Sequence, residues 1–250
     1  MDMIRDARRI DPANRPLIIA GGSKATHEAY DFFGTDPAAP DGADVAVIGE
    51  EFVLLSLLEV VLSFRAAGES MRSAFYRARD AGALDGVPGL MYARGARDKP
   101  AEELVFTGTQ RLLGDLDELP HPVLGYRLLE PPSRRATLGP AALEAGRVRR
   151  YSPVSSLVVT FGCKFSCPYC PIPNYNQQQH RLKSGPRIAD EMWRLHKEFG
   201  LRYFFGTDDN FFNTQQRALD IVEGLAKAEI GGRPLRRSIH WATEATIHDT

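Results

Sequence analysis

Apolar residues in the first fifty positions come in short unbroken runs that stop at glycine. Residues 15–20 run into Gly21-Gly22, and residues 44–48 run into Gly49. A strand with one wet face would alternate, so continuous runs of this kind predict parallel strands buried on both faces. Residues 51–67 then read as a helix with Gly68 as its stop signal. Residues 87–92 and 103–106 flank a polar, Gly-containing turn and predict a hairpin. Over 108–154 the pattern lapses into Pro, Gly, Arg and Leu without a period. The Pro131-Pro132 pair adds to the reading of this stretch as a linker.

After the linker the alternation of elements returns. Strands are predicted over 156–161, 202–206 and 238–243. Between them lie helices over 186–199, with Ile188, Met192, Leu195 and Phe199 on one face, and over 214–229. The second helix carries Ala218, Ile221, Val222, Leu225 and Ala226 on its inner stripe. Strand–helix–strand–helix–strand opens a β/α barrel or an open parallel sheet. The fold class is therefore α/β, with a partial doubly wound unit over 1–107, a linker over 108–154, and the opening of a barrel over 155–250. Only two core parallel strands are evident in the first unit, and the last strand of the second has no helix to cover it. Both units read as truncated.

Composition narrows the class of function. The 250 residues are 43% hydrophobic and 25% charged with a net charge of −1, which is ordinary for a water-soluble chain with room for two modest cores. Near-zero charge argues against a nucleic-acid partner held through its phosphates. The clusters at Arg134-Arg135 and at Arg147, Arg149 and Arg150 read as solvated linker. The most apolar run, 52–64, contains Glu59 and is shorter than the ~20 residues a membrane-spanning helix needs. Residues 1–14 are charged and carry no secretory core. The three cysteines are odd in number and clustered, which predicts a reducing cytoplasm.

Those cysteines carry the chemistry. Cys163-Lys-Phe-Ser-Cys167-Pro-Tyr-Cys170 holds every thiol of the chain in eight residues, just after a predicted strand. Loops at the carboxyl ends of parallel strands carry active sites. Pro168 and Pro171 stiffen this one, and Gly162 permits a tight exit from the strand. Structural zinc with His180 as fourth ligand is one reading, although zinc sites usually draw Cys-x2-Cys pairs from two segments. An electron-transfer ferredoxin would need a fourth cysteine. A four-iron cube bound by three thiolates leaves one iron free for another ligand.

Cys-x3-Cys-x2-Cys after a first barrel strand, with Tyr169 as the aromatic before the last cysteine, resembles the radical S-adenosylmethionine superfamily. The resemblance implies a [4Fe-4S] cluster on Cys163, Cys167 and Cys170, with S-adenosylmethionine on the fourth iron. It also implies reductive cleavage to a 5′-deoxyadenosyl radical, fed by an electron donor such as flavodoxin or ferredoxin. Residues 17–22, 44–50 and 87–92, and Asp115-Leu-Asp-Glu-Leu-Pro120, resemble the cobalamin-binding domain that precedes the barrel in the B12-dependent members. Residues 205–211, Phe-Gly-Thr-Asp-Asp-Asn-Phe, resemble the motif after their second strand. No Asp-x-His-x-x-Gly is present to offer histidine to cobalt, which leaves cobalamin open. The resemblance implies an enzyme acting on a small organic substrate, with methyl transfer, rearrangement or ring closure as outcomes. The alternative is a cluster- or corrinoid-binding module without catalysis of its own.

Several residues have two readings. Asp208, Asp209 and Asn210 either cap a helix or contact cofactor or substrate. Glu244 either bonds a ribose hydroxyl or substrate or is a solvated carboxylate. Gly21 and Gly22 either admit a corrin nucleotide tail or form an ordinary turn. His27 reads as a surface residue and His240 as a core one.

Overall fold

Val45, Ala46 and Val47 are apolar without interruption, and all three are buried. In the computed structural model, which describes residues 2–34, 42–130 and 142–245, they form strand β2 (Val45–Val47). The Pro131-Pro132 pair, Arg134 and Arg135 lie outside the described residues. The chain divides into two compact units, 1–112 and 113–250.

In the first unit β2 lies parallel to β1 (Ile19–Ala20), pairing Ile19 with Val45. The predicted hairpin is formed by β3 (Leu90–Arg94) and β4 (Glu103–Phe106), and β3 runs antiparallel to β2. The sheet order is β1-β2-β3-β4. Successive residues of β2 feed different cores. Val45 and Val47 pack with Val53, Leu57 and Val61 of α3 (Glu51–Ser63) and with Phe75 and Ala78 of α4 (Met71–Asp80). Ala46 packs with Ile18, Ala29 and Phe33, and Ile4 and Ala7 of α1 (Asp2–Arg8) lie against that cluster. A short helix, α2 (Ser23–Glu28), follows β1.

α3 ends at Ser63, earlier than the predicted 67: the Phe64 N–H still reaches the Val60 carbonyl, but the Arg65 N–H bonds the Leu62 carbonyl three residues back and closes the last turn. The sequence pattern gave no sign of α4, since its inner face carries an arginine. Arg72 is buried there, with its side chain only 6% exposed, against the fully buried carboxylate of Asp44 (3.2 Å). Arg8 also reaches Asp44 (3.3 Å), Tyr76 donates to it (2.7 Å), and so does the backbone N–H of Ile18 (2.9 Å). Asp98 binds Arg72 (2.6 Å), Arg8 (2.6 Å) and Arg15. Burial and the neighbouring Asp44 push the Tyr76 phenol up to about 12. This cluster ties α1, β2, α4 and the β3–β4 turn together.

In the second unit β5 (Val154–Leu157), β8 (Tyr203–Gly206) and β11 (His240–Thr243) form a parallel sheet in the order β11-β8-β5. Val154, Tyr203 and His240 stand in one register row. α8 (Gly185–Phe199) and α9 (Gln215–Lys227) supply Ile188, Met192, Leu195, Phe199, Ala218 and Ile221 to the core beneath it. α8 starts where it does because the Ser184 hydroxyl accepts the Arg187 N–H with Pro186 in the first turn, and it stops at the left-handed Gly200. β9 (Glu229–Ile230) and β10 (Arg233–Pro234) form a small antiparallel pair.

Four expectations change here. Val222 and Ala226 are exposed, so the buried stripe of α9 is narrower than its apolar pattern. His240 is exposed as well; it stands on the sheet face away from the helices and stacks on Tyr203 at 5.1 Å. The strand predicted over 156–161 is broken into β5 and β6 (Thr160–Phe161). The described part of the expected linker is not a free connector. Its α5 (Val123–Tyr126) and α6 (Ala145–Tyr151) bury Val123 and Val148 in the second core. Asp117 accepts the Ser184 N–H (2.8 Å), and Arg187 donates to the carbonyls of Asp117 (3.0 Å) and Leu119 (2.7 Å). Scattered apolar residues with no period can still bury when polar clamps fix the backbone between them.

Candidate cluster-binding loop

β6 pairs antiparallel with β7 (Arg181–Leu182), and the chain between them carries all three cysteines and the short α7 (Ile172–Tyr175). The break between β5 and β6 is made by Asp208, which is 3% exposed. Its Oδ1 accepts the backbone N–H groups of Val159 (2.8 Å) and Thr160 (2.7 Å) and the Thr160 hydroxyl (3.2 Å). Its Oδ2 accepts the Thr243 hydroxyl. A carboxylate therefore takes the place of a strand partner and turns the chain out toward the loop. Gly206 makes this possible, because a Cβ there would overlap both the Asp208 carboxylate and Thr243.

Asp209 and Asn213 then hold the residues on either side of Cys163. The Gly162 N–H donates to Asp209 Oδ2 (2.7 Å), Asn213 Nδ2 donates to the Gly162 carbonyl (2.6 Å), and the Lys164 N–H donates to Asn213 Oδ1 (2.8 Å). Tyr175 donates to Asp209 from α7 (3.2 Å), which ties the far side of the loop to the same carboxylate. Burial, with Asp209 nearby, raises the Tyr175 pKa. Asn210 is buried and donates to Asn213 (3.2 Å).

The helix-capping reading of the Asp208-Asp209-Asn210 run does not describe the geometry. Asn210 precedes a short 3-10 turn and Thr214 precedes α9, and neither makes a side-chain cap. The two carboxylates are engaged by protein donors of the loop and its stem. Asn213 and Tyr175 were missed from the sequence. A second polar residue three positions after Asn210 is the one signal that could have marked Asn213.

Cys163, Cys167 and Cys170 are free thiols, each half-buried. Cys167 and Cys170 line a cavity of about 450 Å³ together with Ser166, Pro173, Asn174, Gln177 and Gln178. Tyr169 is 87% exposed, and the neighbouring Cys167 raises the pKa of its hydroxyl. Among the described residues no trio of His, Cys, Asp or Glu surrounds a point where one metal ion would sit. The single-ion zinc set with His180 is thus not assembled. Three thiolates that each bind a different iron of a cube stand further apart than the ligands of one ion, and three free, half-buried thiols on a tethered loop fit that donor set.

The remaining candidates lie elsewhere. The Glu244 side chain is exposed, and its backbone carbonyl accepts the Phe211 N–H (3.2 Å), so its position is fixed beside the Asp208 turn. Gly21 and Gly22 are exposed at the carboxyl end of β1, and a Cβ on either would meet nothing within 4 Å. His27 is half-buried. No described helix is long and apolar enough to cross a membrane.

Gly162 gives a direct test of the loop's construction. Its φ is +93°, and a Cβ there would overlap the Gln179 carbonyl oxygen. Gly162→Ala is expected to cost about 1–3 kcal/mol of local stability, read as lost amide protection over 159–183 in hydrogen exchange. Unchanged protection would show that the stem is not strained in this way.

The fold and the loop define an α/β protein that presents three thiols beside the carboxyl ends of a parallel sheet. No family model matches the chain. A hopanoid C-2 methylase from Rhodopseudomonas palustris (strain TIE-1) is 30% identical over 132 residues, 52% of this chain and 20% of that protein. A cytidylyl-2-hydroxyethylphosphonate methyltransferase from Streptomyces wedmorensis is 24% identical over 201 residues, 80% of this chain and 34% of that one. The chain thus spans about a fifth to a third of the length of these relatives. Among solved structures, the cobalamin-dependent S-adenosylmethionine radical enzyme OxsB, with aqua-cobalamin and S-adenosylmethionine bound, superposes with a TM-score of 0.57. It shares 19% identity over 90% of this chain and 25% of its own. The radical S-adenosylmethionine methyltransferase TsrM from Kitasatospora setae, with cobalamin and a [4Fe-4S] cluster bound, also gives 0.57. Its identity is 17%, over 96% of this chain and 38% of its own. In sequence the chain is thus similar to these two methyltransferases, and in fold it is similar to these cobalamin-binding radical S-adenosylmethionine enzymes.

Proposed function

We propose that this chain is part of a radical S-adenosylmethionine methylase, with Cys163, Cys167 and Cys170 binding a [4Fe-4S] cluster and S-adenosylmethionine at its fourth iron. The observation that carries the reading is the tethered loop, in which every thiol of the chain is free and backbone on both sides of Cys163 is held by Asp209 and Asn213. The methylase relatives support methyl transfer to a small organic substrate over rearrangement or ring closure. When bound, the cluster supplies the single electron that cleaves the sulfonium and starts radical chemistry.

The chain's own residues bind and orient. Asp208 directs the backbone out of β5 toward the loop, Asp209 and Asn213 fix the loop's first ligand, and Tyr175 anchors its far side. Tyr169, Asp208, Asp209, Asn210 and Glu244 surround or support the place where S-adenosylmethionine would lie. In the first unit, Gly21 and Gly22 leave open space at the carboxyl end of the parallel pair β1–β2, where open α/β sheets take ligands. A corrinoid there would be held without an Asp-x-His-x-x-Gly histidine. A flavodoxin- or ferredoxin-type donor in the cytoplasm would supply the electron.

Anaerobic reconstitution is expected to yield a brown protein with four irons per chain that releases 5′-deoxyadenosine or a methylated product from S-adenosylmethionine under reduction. Iron-loaded protein that leaves S-adenosylmethionine intact would defeat the catalytic reading. One observation favours a second reading, a cofactor-binding module that does not turn over by itself. Val154, Tyr203, Phe205 and His240 are exposed on the uncovered face of the β5–β8–β11 sheet, and an uncovered face does not exclude water from a radical.

A further inference from the structure

Asp208 and Asp209 do more than shape the loop. Every described partner of these two carboxylates is a neutral donor: backbone N–H groups, the hydroxyls of Thr160, Thr243 and Tyr175, and the Asn176 carboxamide. Among the described residues no lysine, arginine or histidine pairs with either of them. Asp208 differs in this from the other deeply buried carboxylates described, Asp44 and Glu191, which are each matched by cations, while Asp209 is half-buried. Asp209 is hydrogen-bonded to the residue immediately before Cys163 and, through Tyr175, to the helix that follows Cys170. Two cationic side chains stand on or beside the loop: Lys164 lies over the Phe165 ring and donates to the Phe212 carbonyl (3.4 Å), and the buried Arg181 donates to Asn176 Oδ1 (3.0 Å), so that Asn176 stands between it and Asp209.

We infer that Asp209, backed by Asp208, is a positioning residue whose negative charge, paired directly with no described cation, lowers the reduction potential of the cluster on Cys163, Cys167 and Cys170. The potential of an iron–sulfur cluster depends on the net charge and hydrogen bonding around it. Reduction adds one electron to the cluster, and a fixed carboxylate one residue away opposes that added charge. Neutral donors tether the carboxylate without cancelling its charge. A cluster held at lower potential is a stronger reductant toward a sulfonium. The inference rests on the cluster assignment above and adds to it a source of reducing power in the protein.

The test compares the anaerobically reconstituted full chain with Asp209→Asn and Asp209→Glu. Each is titrated with dithionite against redox dyes, and the reduced cluster is counted by electron paramagnetic resonance. Asp209→Asn keeps the size and an acceptor oxygen but loses the charge. It is expected to bind the wild-type amount of iron and to raise the reduced-to-oxidised ratio at a fixed potential at least tenfold, a shift of 59 mV for a one-electron couple. Asp209→Glu, which keeps the charge, is expected to stay near the wild-type potential. An Asp209→Asn protein with full iron and an unshifted potential overturns the inference, as does one that cannot assemble the cluster, because the carboxylate would then be a strut alone. Equal shifts in both variants overturn it too, since geometry and not charge would be responsible. Failure of the wild-type chain to assemble any cluster would instead remove the parent assignment, and iron analysis separates the two failures.

Discussion

Single replacement of Cys163, Cys167 or Cys170 by alanine is expected to reduce cleavage of S-adenosylmethionine to background and to strip most of the bound iron. On the proposed assignment each thiolate would bind a different iron, so the loss of one would leave a second iron without a protein ligand. Two remaining thiolates would then hold a cube with two open corners, which sheds iron. The fold should survive, because all three cysteines are half-buried and none belongs to the hydrophobic core of the second unit. Substitutions at such positions usually change stability by no more than about 0.5 kcal/mol. The checks are iron per chain, the visible spectrum after anaerobic reconstitution, release of 5′-deoxyadenosine, and the thermal midpoint of the apo protein. Full iron and undiminished cleavage in any one variant would show that the three thiols are not the ligand set. A collapsed midpoint would mean that the cysteine was a packing residue.

The cysteine loop was legible in the sequence because it is local: all three thiols fall within eight residues, just after a predicted strand. The parallel strands were legible for a similar reason, since Val45-Ala46-Val47 is apolar without interruption. What escaped depends on contacts between distant residues. Asp209 meets Gly162 across 47 positions, and Asn213 meets the same residue across 51. Nothing in the run Asp-Asp-Asn distinguishes a carboxylate that caps a helix from one that receives backbone N–H groups of another strand. The break between β5 and β6 escaped because it is imposed by Asp208 and not by a proline or glycine of the strand itself. The expected linker over 108–154 looked aperiodic and so looked unpacked. Its anchoring depends on Arg187, whose side chain offers donors to two carbonyls of the Asp117–Leu119 segment, and a composition profile does not register that. α4 escaped because its pattern places an arginine inside, which is interpretable only once Asp44 and Asp98 are seen opposite it.

That buried arginine carries the largest expected effect on stability. Arg72→Ala is expected to destabilise the first unit by up to about 3–5 kcal/mol, the range for removing one member of a buried ion pair. Asp44 is fully buried, and without Arg72 it keeps Arg8 at 3.3 Å as its remaining cation. Asp98, 28% exposed, would lose its 2.6 Å contact to the same guanidinium. A loss of this size is a large share of the roughly 5–15 kcal/mol that holds a domain folded. The effect should be confined, because Arg72, Asp44, Asp98, Arg8 and Arg15 all lie within residues 1–112. Hydrogen exchange should therefore show lost protection over α4 and β1–β3 with protection of α8 and the β5–β8–β11 sheet retained. The wild-type chain should show the same weakness in acid. Burial tends to raise the Asp98 pKa, but Arg72, Arg15 and Arg8 together outweigh it and hold the pKa below its ordinary value. A carboxylate depressed in the folded state contributes stability that is complete above its unfolded pKa of about 3.9 and is lost as pH falls through the folded one. The first unit should accordingly lose amide protection below about pH 4, and Asp98→Asn should flatten that part of the acid transition. If Arg72→Ala left exchange in 1–112 unaltered, or loosened both units equally, the cluster would not be the lock of the first unit.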